Sequence, residues 1–388
     1  MSVTAAAGFT AAGVTAGLKS AGRDLALVVN IGPQRHAAAV FTSNRVAAAP
    51  VLWSRQAVSD GRADAVVLNS GGANACTGPE GFADTHHTAE RVAQALDISA
   101  QDVLVCSTGL IGERLDMGAL LPAVDAAAAA LTDDDGAAAA AAEAIRTTDT
   151  VSKTAQSGGT GFVVGGMAKG AGMLAPGMAT MLAVLTTDAV ITQPDLDAAL
   201  REAVRVSFNR ADSDGCMSTN DTVVALASGA HPDADASGVD LREFQAALTE
   251  VCRDLAAQLI ADAEGAHHEI AITTIHAANE DEAETAGRAV ARSNLFKTAI
   301  FGRDPNWGRI LSAVGTTDVA FDPGTIDVAV NGVWICRGGG IGEDRSLVDL
   351  SGRQVEITID LKSGDAEATI LTNDLTHDYV HENSAYSS

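Results

Sequence analysis

Apolar runs of strand length alternate with segments of helical period through the first hundred residues, and this alternation constrains the fold more than any other feature. LALVVNI from Leu25, AAAVFTS from Ala37, ADAVVLN from Ala63 and DVLVCS from Asp102 have the length and apolar character of buried strands. Helical spacing occupies residues 81–96, between the last two runs. A chain that switches in this way between periods of 2 and 3.6 is of mixed α/β class.

Alanine-rich helical stretches at 126–131 and 137–145 flank Asp133, Asp134, Asp135 and Gly136, which predict a turn and an N-cap. A glycine-rich loop is expected over 157–177, leading into the apolar run TMLAVLTTDAVI, so that Thr180 stands where loop becomes strand. Leu241, Phe244, Leu248, Val251, Leu255 and Leu259 recur at three- and four-residue spacing and form the apolar face of a long helix ending near Glu264 and Gly265. Beyond it come the strand EIAITTI, the helix EDEAETAGRAVARS and several strands, with DLKSGD read as a hairpin turn between EITIDL and EATIL. A domain boundary near residue 265 follows, dividing the chain into 1–265 and 266–388.

With 388 residues, 47% of them hydrophobic, the chain can bury a core for two domains or one large one. A formal net charge of -25 argues against nucleic acid and anionic membranes as partners, because phosphate binding requires a basic surface. Cys76, Cys106, Cys216, Cys252 and Cys336 are odd in number, form no C-x-x-C pair and are expected as free thiols. MSVTAAAGFTAAG lacks a basic region followed by an apolar core, and no run is long enough to span a bilayer; a soluble, cytoplasmic protein is expected.

Familiar motifs are missing. GGMAKGAGM lacks the Gly-Lys-Ser/Thr order of a phosphate loop, and CRGGGIGED does not match G-x-G-x-x-G. His86 with His87, and His267 with His268, are adjacent rather than spaced i, i+4, so neither a metal nor a cofactor is expected. What remains is the segment from Lys169 to Thr180, in which small residues allow a tight turn ahead of a β-branched hydroxyl residue. Such a turn can expose the Ala179 carbonyl and the Thr180 hydroxyl, although a threonine opening a strand is usually just a good strand former.

That segment, KGAGMLAPGMATML, resembles the cleavage and nucleophile region of the bifunctional ornithine acetyltransferase/N-acetylglutamate synthase family. The likeness covers the whole chain: NACTG at Asn74, STGLIGE at Ser107, TTDT at Thr147, STNDT at Ser218, ADAEG at Ala261, DPNWGR at Asp304 and the terminal ENSAYSS occur in order. SGGAN before Ala75, SGGTG from Ser157 and the short CRGGGIGED depart from the family pattern; they bear on loop geometry rather than on reaction type.

The resemblance implies a four-layer α/β/β/α nucleophile domain with a smaller C-terminal α/β domain. It further implies self-cleavage between Ala179 and Thr180, giving an α and a β chain that assemble as a heterotetramer of two each. The implied reaction is ping-pong: Thr180 takes acetyl from N-acetylornithine and passes it to glutamate, with acetyl-CoA a second acetyl donor in bifunctional members. A freed α-amino group, of ordinary pKa about 7.7–8.0, serves as base to the same residue's hydroxyl. Thr108 and Gly109 match the oxyanion donors, Lys169 the contact to the substrate carboxylate, and Glu264 the acid beside the nucleophile that assists proton movement and binds substrate. Thr147, Asn383 and Ser388 match residues touching the amino-acid substrate. Two other readings stand beside this one: a self-processing aminopeptidase or amidohydrolase that hands the acyl group to water, and a scaffold without the chemistry.

Overall fold

The computed structural model describes residues 2–173, 175, 181–233 and 238–385. The chain opens with β1 (Phe9–Val14), β2 (Leu25–Asn30), β3 (His36–Phe41), α1 (Ala49–Ala57), β4 (Ala65–Asn69), α2 (Gly78–Leu96), β5 (Val103–Ser107), α3 (Met117–Ala129) and α4 (Asp135–Ala144). It continues through β6 (Lys153–Gly159), β7 (Phe162–Lys169), β8 (Leu182–Thr187), α5 (Gln193–Arg205), β9 (Thr222–Ala227) and α6 (Leu241–Ala261). The remainder holds β10 (Glu269–Ala277), α7 (Glu280–Ala291), α8 (Asn294–Phe301), α9 (Trp307–Val314), β11 (Asp327–Val330), β12 (Val333–Arg337), β13 (Gly340–Ile341), β14 (Gln354–Asp360), β15 (Ala366–Asn373) and α10 (His377–Ala385).

Among the described residues these strands form three sheets, ordered β1-β2-β4-β5, β3-β9-β8-β7-β6 and β13-β12-β11-β14-β10-β15. The first two stack face to face: Val28, Val66, Leu68 and Leu104 from one meet Met167, Leu182, Val184 and Leu226 from the other in a single core. The opposite face of the first sheet is covered by α2 and α3 through Val92, Leu120 and Val124. The opposite face of the second is covered by α5 and α6 through Leu196, Leu200, Phe244, Leu248, Val251, Leu255 and Leu259. The layer order is therefore α/β/β/α, as the resemblance implies. The third sheet packs one face on α7, α8 and α9 around a separate core drawn from residues 270–370. No described helix is long and apolar enough to cross a membrane.

Local signals account for the elements they mark. Asp134 caps α4 by accepting from the Ala137 amide, and Asp240 caps α6 by accepting from those of Arg242 and Glu243. Three expectations are corrected. The glycine-rich stretch is largely the β6–β7 antiparallel hairpin, and Lys169 ends a strand instead of sitting in a loop. β7 is covered on both faces, Val164 and Ala168 toward one core and Met167 toward the other, so its small residues do not alternate with polar ones. The long helix stops at Ala261, so Glu264 lies just past its end. EITIDL and EATIL do not pair as a hairpin; β10 is inserted between them, parallel to β14 and antiparallel to β15. Period-2 patterning identifies a strand but not its neighbour.

This topology sets the ends of β4 and β5 against the ends of the interior strands of the second sheet. Lys169, Leu182 and Thr222 stand in register where β7 ends and β8 and β9 begin. Asn220 fastens the two layers there, its Nδ2 donating to Ala73 O at 2.6 Å and to Ser107 O at 2.8 Å.

Candidate active site

Six of the residues singled out above, Thr108, Gly109, Thr147, Lys169, Glu264 and Asn383, line one cleft at those strand ends. Thr180, Ala179 and Ser388 lie outside the described residues. Thr108 immediately follows β5 and is held by its amide, which donates to Asn69 O at 3.0 Å. Asn69 is itself fixed, its Nδ2 donating to Gly72 O and its Oδ1 accepting from Ser107 Oγ at 2.6 Å. Gly109 adopts φ of +131°, and a Cβ there would lie 2.7 Å from the Gly72 nitrogen, so only glycine fits this turn without backbone movement.

Lys169 is 1% exposed, and its Nζ donates to Thr108 Oγ1 at 3.2 Å. Burial pushes its ammonium below the usual lysine range; Asp149 pulls the other way and Lys153 adds to the depression. Asp149 is the anchor of this region. Its Oδ1 accepts from Lys153 Nζ at 2.6 Å and from the Gly170 amide at 2.7 Å, and its Oδ2 from the Thr147 amide at 2.9 Å. Burial alone would raise this carboxyl, but Lys169 and Lys153, with the hydrogen bonds from Lys153 and Gly170, hold it at about 2. Lys153 also donates to Asp262 Oδ2 at 2.6 Å, tying the Thr147 loop to the end of α6.

Glu264 enters from the turn after α6, its amide donating to Ala171 O at 3.0 Å. Asn383, carried back by α10, donates from Nδ2 to Glu264 Oε2 at 3.0 Å. The cleft thus gathers a lysine, a glutamate, hydroxyls and amides around the start of β8. Among the described residues no group of three His, Cys, Asp or Glu is placed to hold a metal ion.

Sequence reasoning passed over Asp149, Lys153, Asp262, Asn220 and Asp221, although four of them stand inside the quoted motifs TTDT, ADAEG and STNDT. Lysine scarcity could have pointed to Lys153, since the chain has only Lys19, Lys153, Lys169, Lys297 and Lys362.

The ArgJ family model matches residues 10–388. The arginine biosynthesis bifunctional protein ArgJ of Streptomyces coelicolor is 62% identical over 392 aligned positions, covering all of both chains. That of Mycobacterium leprae is 53% identical, covering all of this chain and 96% of its own. A solved ornithine acetyltransferase from Mycobacterium tuberculosis, complexed with ornithine, is 52% identical over 47% of this chain and 96% of its own, with a TM-score of 0.43. Matched by the family model from residue 10 to the last and aligned end to end with its curated relatives, the chain belongs to the ArgJ family.

Proposed function

We propose that this member of the ArgJ family, an enzyme of arginine biosynthesis, is a self-cleaving acetyltransferase that moves acetyl from N-acetylornithine to glutamate through Thr180. The observation that carries the reading is the convergence of Thr108, Gly109, Lys169, Glu264, Thr147 and Asn383 on one cleft, beside the strand that follows Thr180 in the chain.

In the cutting step the Thr180 hydroxyl oxygen attacks the Ala179 carbonyl carbon. The C–N bond breaks and the nitrogen takes the hydroxyl proton; water then cleaves the resulting ester, leaving a carboxylate on Ala179 and the hydroxyl and a free α-amine on Thr180. In the transfer step that amine takes the hydroxyl proton as Thr180 attacks the acetyl carbonyl of N-acetylornithine. Thr108 and Gly109 stabilise the oxyanion, the amide C–N bond breaks and ornithine leaves with the proton; glutamate's amine then attacks the Thr180 ester, its acyl C–O bond breaks, and the amine's proton returns to the Thr180 oxygen. Lys169 receives the substrate carboxylate; Glu264, Thr147, Asn383 and Ser388 hold the rest of the amino acid. Acetyl-CoA is the second acetyl donor, no cofactor takes part, and the cut chains assemble in the cytoplasm as two α and two β.

Intact-mass measurement tests the cut, with chains of residues 1–179 and 180–388 expected from wild type and one chain from Thr180→Ala. Transfer assayed with and without glutamate tests the acceptor. Acyl release that is as fast without glutamate favours a hydrolase and sinks the transferase reading.

A further inference from the structure

Asp221 precedes β9 and is fully buried. Because β8 and β9 run parallel with Leu182 opposite Thr222, Asp221 stands beside Met181. Its Oδ1 accepts from the Met181 amide at 3.0 Å. Its Oδ2 is buried and meets no donor at hydrogen-bonding geometry among the described residues; the Ser218 hydroxyl and amide stand near the carboxyl group without completing a bond to that oxygen. A buried carboxyl oxygen without a donor is a desolvation cost that evolution keeps where a group arrives to meet it.

Met181 is joined to Thr180 by one peptide bond, so the Thr180 α-nitrogen is three covalent bonds from the nitrogen that Asp221 already holds, within about 4 Å of it. We infer that Asp221 is a positioning residue for Thr180: one oxygen of its carboxyl group holds the Met181 amide, and the other receives the α-amino group that cleavage frees. This rests on the reading that the chain is cut before Thr180.

The electrostatics agree. Burial pushes the Asp221 carboxyl well above the usual carboxylate range, and the Met181 amide, the Lys169 charge and Ser218 pull it only partly back. Lys169 reaches it from the end of β7; on the β3 side its cross-strand neighbour is Thr42, whose amide donates to the Asp221 carbonyl and brings no charge. An ammonium arriving at Oδ2 favours the carboxylate, and the carboxylate in turn favours the ammonium over the free amine. The neutral amine is the base in transfer, so Asp221 sets the rising limb of the pH profile higher than it would otherwise lie.

The test measures chain cutting by intact mass and kcat/KM against pH for wild type, Asp221→Asn and Asp221→Ala. Asp221→Asn is expected to be cut, and its rising limb to move down by about one pH unit. Asp221→Ala, which also releases the Met181 amide, is expected to lose at least about tenfold in kcat at every pH. A limb for Asp221→Asn that coincides with wild type, or a wild-type rate in Asp221→Ala, overturns the role. Should the variants not fold, labelling of the Thr180 α-amine in cut wild type decides: its rate should rise with pH above the ordinary 7.7–8.0, and a rise at or below that range overturns the inference. A wild-type chain that stays whole sinks the Thr180 reading and this one together, whereas a cut chain with an unmoved limb sinks only Asp221.

Discussion

Lys169 Nζ donates to Thr108 Oγ1 across 3.2 Å, from the end of β7 to the turn after β5, with both side chains buried. A hydroxyl that accepts from a lysine keeps its own hydrogen for another partner. The lysine therefore orients the Thr108 hydroxyl as a donor, which an oxyanion site requires before the charge develops.

Thr108→Val keeps the shape and removes that donor. In the acetyl-transfer assay its kcat should fall by about 10²–10³, the usual cost of one oxyanion donor. Thr108→Ser, which restores the hydroxyl, should recover most of the loss. Equal rates for Val and Ser variants would show that the hydroxyl is not the donor.

Lys153 bridges two carboxylates at once, Asp149 and Asp262. Lys153→Met leaves Asp262 without this cation and Asp149 with the Lys169 charge alone, and should cost about 3–5 kcal/mol in urea unfolding. The pH dependence follows from Asp149, whose folded pKa of about 2 lies below its unfolded value of about 3.9. Its stabilisation is complete above about pH 4 and is lost as pH falls through 2. Without Lys153 the folded value rises, so the acid-unfolding midpoint of the variant should sit at higher pH than that of wild type.

Asp214 behaves oppositely. Its Oδ2 accepts from the Met173 amide at 2.7 Å and its Oδ1 from the Cys216 amide at 3.1 Å, yet burial pushes the carboxyl up to about 6. A folded pKa above the unfolded one means that the group favours folding fully below about pH 4, and that this contribution is lost as pH rises through 6. Asp214→Asn removes the titration. The stability difference between variant and wild type should therefore shift toward wild type by about 1 kcal/mol on going from pH 7 to pH 5. Thermal unfolding at the two pH values checks it, and a difference that does not change would remove the burial argument.

The legible part of the molecule was the part written in local patterns. The apolar face of α6 follows from its spacing alone, and the runs at Leu25, Ala63 and Asp102 became β2, β4 and β5. Pairing was hidden because β10 enters between β14 and β15 from more than seventy positions away. α8 and α9 are eight residues each, short enough for their apolar spacing to pass as strand. At the site, motif likeness singles out six of the residues lining the cleft but neither Ser218, Thr219 and Asn220, which line it too, nor Asp149 and Lys153 behind it. Lys153 and Asp262 are 109 positions apart, and nothing in either neighbourhood announces the other. Asp221 was overlooked because its burial and its half-satisfied carboxyl are properties of register, which sequence does not display.

Gly265 joins the tail to the cleft through backbone alone. It adopts φ of +60°, and a Cβ there would lie 2.1 Å from the Tyr379 nitrogen, inside α10. Thr376 completes the joint: its hydroxyl donates to Gly265 O at 2.6 Å and accepts from the Tyr379 amide at 2.9 Å, capping the helix against the turn that carries Glu264. Gly265→Ala therefore pays a left-handed strain of about 1–2 kcal/mol and a backbone collision that only displacement of α10 can relieve. Displacing α10 breaks the bond from Asn383 to Glu264 while leaving Thr108 and Lys169 untouched. KM for the amino-acid substrate should then rise about tenfold or more with kcat changed far less, the pattern of lost ground-state binding. Limited proteolysis should cut α10 faster than in wild type. Asn383→Ala should raise KM without that susceptibility, because it removes the contact and leaves the helix docked. If Gly265→Ala binds substrate as wild type does, the tail is not part of the binding site.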